Sequence, residues 1–120
     1  MIILKIAIPS EDRELDSLVA DTFGRADYFY VWQEETAEGS WLDNSGIAMQ
    51  GGAGIKAAQL LIDAGVEVLL APQCGENAAQ VLNQAKIKLY QTQYATVEEN
   101  LTAFLAGNLT REITPHASRH

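Results

Sequence analysis

The apolar residues of this chain change their spacing near its middle. Up to Asn44 they come in short runs of β-branched and aromatic residues. From Ala53 onward, Ala53, Ala57, Leu60, Leu61 and Ala64 repeat with the 3.6-residue period of one helix face. Ile2–Pro9 reads as a first strand that Pro9 ends. Asp27–Gln33 (DYFYVWQ) reads as a second, apolar on both faces, and Ser40–Asn44 as a short third anchored by Trp41. Past the change, Gly65 is placed to cap the first helix at its C-terminal end, and Val66–Pro72 is a fourth strand. Ala78, Val81, Leu82 and Ala85 mark a second helix, and Ile87–Tyr90 a fifth strand. Thr96 and Glu99 form a capping box that opens a third helix lined by Val97, Leu101, Phe104 and Leu105 and ended by Gly107. Helices are expected to begin near Ala53, Glu76 and Val97.

The order is β-β-β-α-β-α-β-α. Alternating strands and helices demand parallel strands with right-handed crossovers, whereas the short links among the first three suit antiparallel pairing. The expected fold is α/β, one mixed five-stranded sheet with three helices packed on it. A chain of 120 residues suits one domain, here 1–107, followed by a polar, frayed tail at 108–120. Ser10–Asp21 and Ser45–Gly54 read as loops.

Composition removes several functions. Eight Lys and Arg against sixteen Asp and Glu give a formal charge of −8, which repels nucleic acid and anionic membrane surfaces. No run approaches the roughly 20 apolar residues of a membrane span. A single cysteine makes no internal disulfide, and a reducing cytoplasm is the expected compartment.

Three glycine-bearing segments are candidates for chemistry, because ligands gather beyond the carboxyl ends of parallel strands. In DTFGRAD, Phe23 can tuck under the loop, Gly24 can take a positive φ, and Arg25 can face an anion or pair with Asp21 or Asp27. In QGGAGIKAA, Gly51, Gly52 and Gly54 leave free N–H groups at a helix N-terminus. A dinucleotide fingerprint would have to follow a first strand directly, so the Gly52-x-Gly54 echo fails on context. In PQCGEN, Cys74, Gly75 and Asn77 lie where a strand meets a helix, a place that favours a thiolate. The only histidines, His116 and His120, are in the tail, which argues against a Cys–His catalytic pair, and a four-ligand Cys/His metal site fails by count. The carboxylates Glu11, Asp12, Glu14, Asp16 and Asp21 crowd one loop, and no strand carries the central acidic residues a two-metal nuclease needs. Cys74 therefore stands between a small side chain at a tight turn and a single thiolate offered to a preformed iron–sulfur species.

Taken in order, KIAIPS (Lys5–Ser10), TFGRADYFYV (Thr22–Val31), GGAGIKAAQLL (Gly51–Leu61), GVEVLLAPQCGENAAQVL (Gly65–Leu82) and IKLYQ (Ile87–Gln91) resemble the dinitrogenase iron–molybdenum cofactor biosynthesis family. This is the NifX- and NafY-like carrier domain also found at the end of NifB proteins. The resemblance implies a ribonuclease-H-like fold without nuclease chemistry. It also implies a non-enzymatic carrier, a monomer or weak homodimer, that binds an iron–sulfur or iron–molybdenum-type cluster as transient cargo and works with cofactor-assembly or acceptor proteins. Family members often carry histidine directly before Phe-Gly, where this chain has Thr22, a poor iron ligand. That leaves Cys74 as the soft donor, expected to be partly exposed, and Met49 as a thioether candidate. The alternative is a small anion- or nucleotide-binding regulatory module that uses the same loops without metal.

Overall fold

The fold is that of a computed structural model, described here for residues 4–113. Five strands, β1 (Lys5–Ser10), β2 (Tyr28–Gln33), β3 (Glu38–Asp43), β4 (Val68–Ala71) and β5 (Lys88–Gln91), form one sheet in the order β3-β2-β1-β4-β5. β1, β2 and β3 pair antiparallel, and β1, β4 and β5 pair parallel. The mixed sheet expected from the change of period is therefore present.

Strand alternation divides the core into two layers. Ala7, Leu69, Ala71 and Leu89 face α2 (Ala53–Asp63) and α3 (Glu76–Gln84), meeting Ala57, Leu61, Ala78 and Leu82. Ile6, Ile8, Val68 and Leu70 face the opposite way, onto Val97 and Leu101 of α4 (Val97–Leu105). The small residues of α2 and α3 let two helices share one face of a narrow sheet, and they start at the expected residues. α4 carries the full capping box, with Thr96 Oγ1 accepting from the Glu99 N–H and the Glu99 carboxylate accepting from the Thr96 N–H. Among the described residues no helix is long and apolar enough to cross a membrane.

Three sequence expectations need correction. Within the expected loop 45–54 stands a short helix, α1 (Ser45–Ala48), nucleated where Asp43 Oδ1 accepts from the N–H and hydroxyl of Ser45. Four residues are too few to show a period. The third strand runs Glu38–Asp43, not Ser40–Asn44, and Asn44 is a buried polar post instead. Residues 108–113 are not frayed. Leu109 and Ile113 are buried, and the Gln91 and Ile113 N–H groups bond the Arg111 and Leu89 carbonyls, laying this segment along β5. Ile2, Ile3, His116 and His120 lie outside the described residues.

β1 and β4 are neighbouring parallel strands whose chains leave in opposite directions, β1 toward β2 and β4 toward β5. That arrangement opens a crevice beyond their carboxyl ends.

Candidate functional site

The first loop over this crevice is built on Phe23, 2% exposed, whose ring packs against Phe29 at 5.3 Å between centroids. Asn44, wholly buried, fastens the next turn by donating through Nδ2 to the carbonyls of Gly24 (3.3 Å) and Ala26 (2.8 Å). Between these anchors Arg25 is turned outward, and its Nη1 donates to the Ala48 carbonyl at 2.6 Å, at the end of α1. It pairs with this carbonyl, not with Asp21 or Asp27 as the local sequence allowed.

Gly24 has a steric purpose and not the conformational one expected of it. A Cβ there would lie 2.6 Å from both Cα and N of Gly54, so the first loop touches the backbone of the first turn of α2. The left-handed position belongs to Gly52, φ +71°, which turns the chain into α2. A Cβ on Gly54 would stand 3.4 Å from the Ala78 methyl, so the N-termini of α2 and α3 adjoin. Gln73 closes the ring by donating Nε2 to the Asp21 carbonyl at 3.1 Å.

The three loops enclose an open cleft of about 570 Å³. The first contributes Thr22, Phe23, Gly24 and Arg25, the second Gly52 and Gly54, and the third Cys74, Gly75 and Asn77. Convergence of the three segments at one end of the sheet was the sequence expectation, and the geometry meets it. Met49 and Gly51 do not line the cleft. Met49 ends α1 and is 88% exposed, and Gly51 runs along the surface between α1 and α2. The sequence reading missed Ile55, Gln73 and Glu76, which also line it. Ile55 carried a signal: it is an apolar residue in the first turn of α2 that falls off the face marked by Ala53, Ala57 and Leu61.

Neither helix that opens on the cleft has a side-chain cap. Their first intrahelical bonds are Lys56 N–H to Gly52 and Ala79 N–H to Gly75. The amides of Ala53, Gly54, Ile55, Glu76, Asn77 and Ala78 thus precede the hydrogen-bonded ladders, and no described protein group accepts from them. Two helix dipoles and Arg25 make the cleft attractive to an anion, and Glu76 at its mouth works against this.

Cys74 corrects the expectation of a partly exposed thiolate. It is 1% exposed and packed in the apolar cluster under the loops, and burial pushes its pKa up to about 11. Desolvation outweighs the helix N-terminus that was expected to favour the anion. Among the described residues no group of three or more His, Cys, Asp and Glu side chains is placed to hold a metal ion. The folded-state pKa lies above the ordinary 9.0, so the linked stability is complete below pH 9 and is lost as pH rises toward 11. Cys74→Ala is therefore expected to melt with less dependence on pH between 9 and 11 than the native chain, as read by circular dichroism.

The model of the family described as "Dinitrogenase iron-molybdenum cofactor" matches residues 3–107. The chain is similar to the orange protein of Desulfovibrio gigas, solved in its apo form, at 36% identity and a TM-score of 0.87, over 94% of this chain and 96% of that one. It is similar to a Thermotoga protein provisionally named NifB, of the DUF35 family, at 36% identity and a TM-score of 0.84, over 97% and 99% of the two chains. An uncharacterized protein of Methanocaldococcus jannaschii is 26% identical over 112 residues, 91% of this chain and 92% of its own. The chain belongs to the dinitrogenase iron-molybdenum cofactor family, which is tied to the biosynthesis or carrying of that cofactor.

Proposed function

We propose that this chain is a cytoplasmic, non-enzymatic carrier that holds an anionic metal–sulfide cluster, of the iron–sulfur or iron–molybdenum type, in the cleft and passes it to assembly or acceptor proteins. The observation that carries this reading is the convergence of two uncapped helix N-termini and Arg25 on one cleft in a chain of this family. Sulfide ligands that arrive with the cluster accept hydrogen bonds from backbone amides, and the dipoles and the guanidinium offset its charge. Phe23 and Ile55 give the cleft an apolar wall, which suits the weakly hydrated surface of such a cluster. No protein thiolate is needed, and the buried thiol of Cys74 offers none. A cargo held by hydrogen bonds and charge leaves without breaking a metal–protein bond, as handing on requires. The ionisable side chains that line the cleft are Arg25, Glu76 and Cys74, a set with no histidine and no second carboxylate to form a general acid–base pair.

The same amides and Arg25 would accept a phosphate group, which keeps a small anion-binding regulatory module as the second reading. The two part in an NMR titration of the ¹⁵N-labelled chain under anaerobic conditions. Adding ferrous iron with sulfide is expected to shift the amides of Ala53–Ile55 and Glu76–Ala78, with inorganic phosphate much less effective. Shifts from phosphate alone would favour the module, and no shift of these amides from either would remove the cleft as the site.

A further inference from the structure

The two edges of the sheet are treated differently. Outside β5 lies the segment with Arg111 and Ile113, bonded to Gln91 and Leu89, with Glu112 opposite Tyr90. Outside β3 there is no such cover among the described residues. The Glu34 N–H donates to the Leu4 carbonyl at 2.8 Å, so even-numbered backbone groups of this strand face β1 and odd-numbered ones face β3. The register then turns the N–H and C=O groups of Glu38, Ser40 and Leu42 inward, and those of Gly39, Trp41 and Asp43 outward. No described protein group bonds these outward amides and carbonyls. They form a six-residue template for one more strand.

The charge around this template is mainly negative, although Lys5 shares a cavity with Glu38 and Arg13 approaches Asp43 over the Tyr28 ring. Residues 26–55 hold Asp27, Glu34, Glu35, Glu38 and Asp43, and no Lys or Arg. Trp41 lies half-buried on Tyr30, 4.9 Å between ring centroids, and gives an added strand an aromatic shelf on one face. We infer that the free edge of β3 is a docking edge for an extended, lysine- or arginine-bearing segment of a partner protein. Backbone pairing supplies the contact, the carboxylates select the partner, and a cation stem covers Trp41. A second copy of this chain is the wrong occupant, because edge-to-edge pairing would set five carboxylates on each side against one another, more than Lys5 and Arg13 can offset. The site is separate from the cleft, although Asp43, paired with Tyr28 and through it with Ser10, ends β3 at the same end of the sheet. A partner strand added here would run toward the mouth of the cleft.

The test uses a capped peptide of alternating lysine and valine, and its counterpart with glutamate in place of lysine, added to the ¹⁵N-labelled full chain. The lysine peptide is expected to shift the amides of Gly39, Trp41 and Asp43 and to slow their hydrogen exchange, an effect that added salt weakens. The glutamate peptide should leave them unchanged, and Glu34→Lys with Glu38→Lys should weaken the lysine peptide roughly five- to ten-fold. Three results would overturn the inference: no change at these amides, equal binding of both peptides, or protection that grows with protein concentration alone, which would assign the edge to a second copy.

Discussion

Phe23→Ala is expected to lower the stability of the chain by about 3–5 kcal/mol, read from the midpoint of urea unfolding. The ring is 2% exposed and rests on Phe29, with Ala20 and Ala26 in the same buried cluster. Alanine would leave a void beneath a loop whose backbone is pinned by Asn44, so the loop cannot collapse to fill it. Total stabilities of about 5–15 kcal/mol make this about a fifth or more of what holds the domain together. The functional loss would be larger than the stability loss suggests, because Arg25 and Gly24 are carried by this loop and both depend on its height above the sheet. A loss below about 1 kcal/mol would show that Phe23 is not the anchor of the loop.

Gly24→Ala has the second-largest expected effect, for the opposite reason. The new methyl would meet backbone at 2.6 Å, the Cα and N of Gly54, and a rigid helix turn must move aside. Forced contacts of this kind cost about 1–3 kcal/mol, and here they also part the first loop from the amides of α2. Gly75→Ala is the control. Gly75 sits at φ −65°, ψ 156°, with no atom within 4 Å of where its Cβ would be. Its stability should stay within about 0.5 kcal/mol of native or rise slightly, since alanine restricts the unfolded chain. Thermal melts of the two variants side by side check the contrast. Equal stabilities would mean that the first loop and α2 are not in contact.

What could be read in advance followed from period and punctuation. The five strands and the starts of α2, α3 and α4 were legible because each stretch is long enough for its spacing to show, and because Thr96 and Glu99 announce a cap. The meeting of three distant loops was legible because ligands gather beyond the carboxyl ends of parallel strands, and the structure supplies those ends in β1 and β4. α1 was hidden by its length, and the packing of Leu109 and Ile113 by the polar residues between them. Depth was the harder quantity. Cys74 adjoins Gly75 and a helix start, features shared by exposed thiols. Its burial comes from the apolar cluster formed with Phe23 and Ala78, residues remote in sequence from the turn or ordinary in type. Gly24 was legible as necessary, but its reason, contact with Gly54, exists only in three dimensions.

Anaerobic cluster uptake tests the carrier reading most directly. The native chain, Cys74→Ala and Arg25→Gln would each be incubated with ferrous iron and sulfide, passed through a desalting column, and assayed for iron, sulfide and visible absorption per chain. The native chain and Cys74→Ala are expected to retain equal amounts of iron and sulfide, because the proposed binding rests on amides and charge and not on the buried thiol. Arg25→Gln is expected to retain several-fold less, in keeping with loss of a charge-assisted contact of about 1.5–3 kcal/mol. Retention of no iron and sulfide by the native chain would contradict the reading outright, and uptake that vanishes in Cys74→Ala alone would replace amide and charge binding with ligation by the thiol.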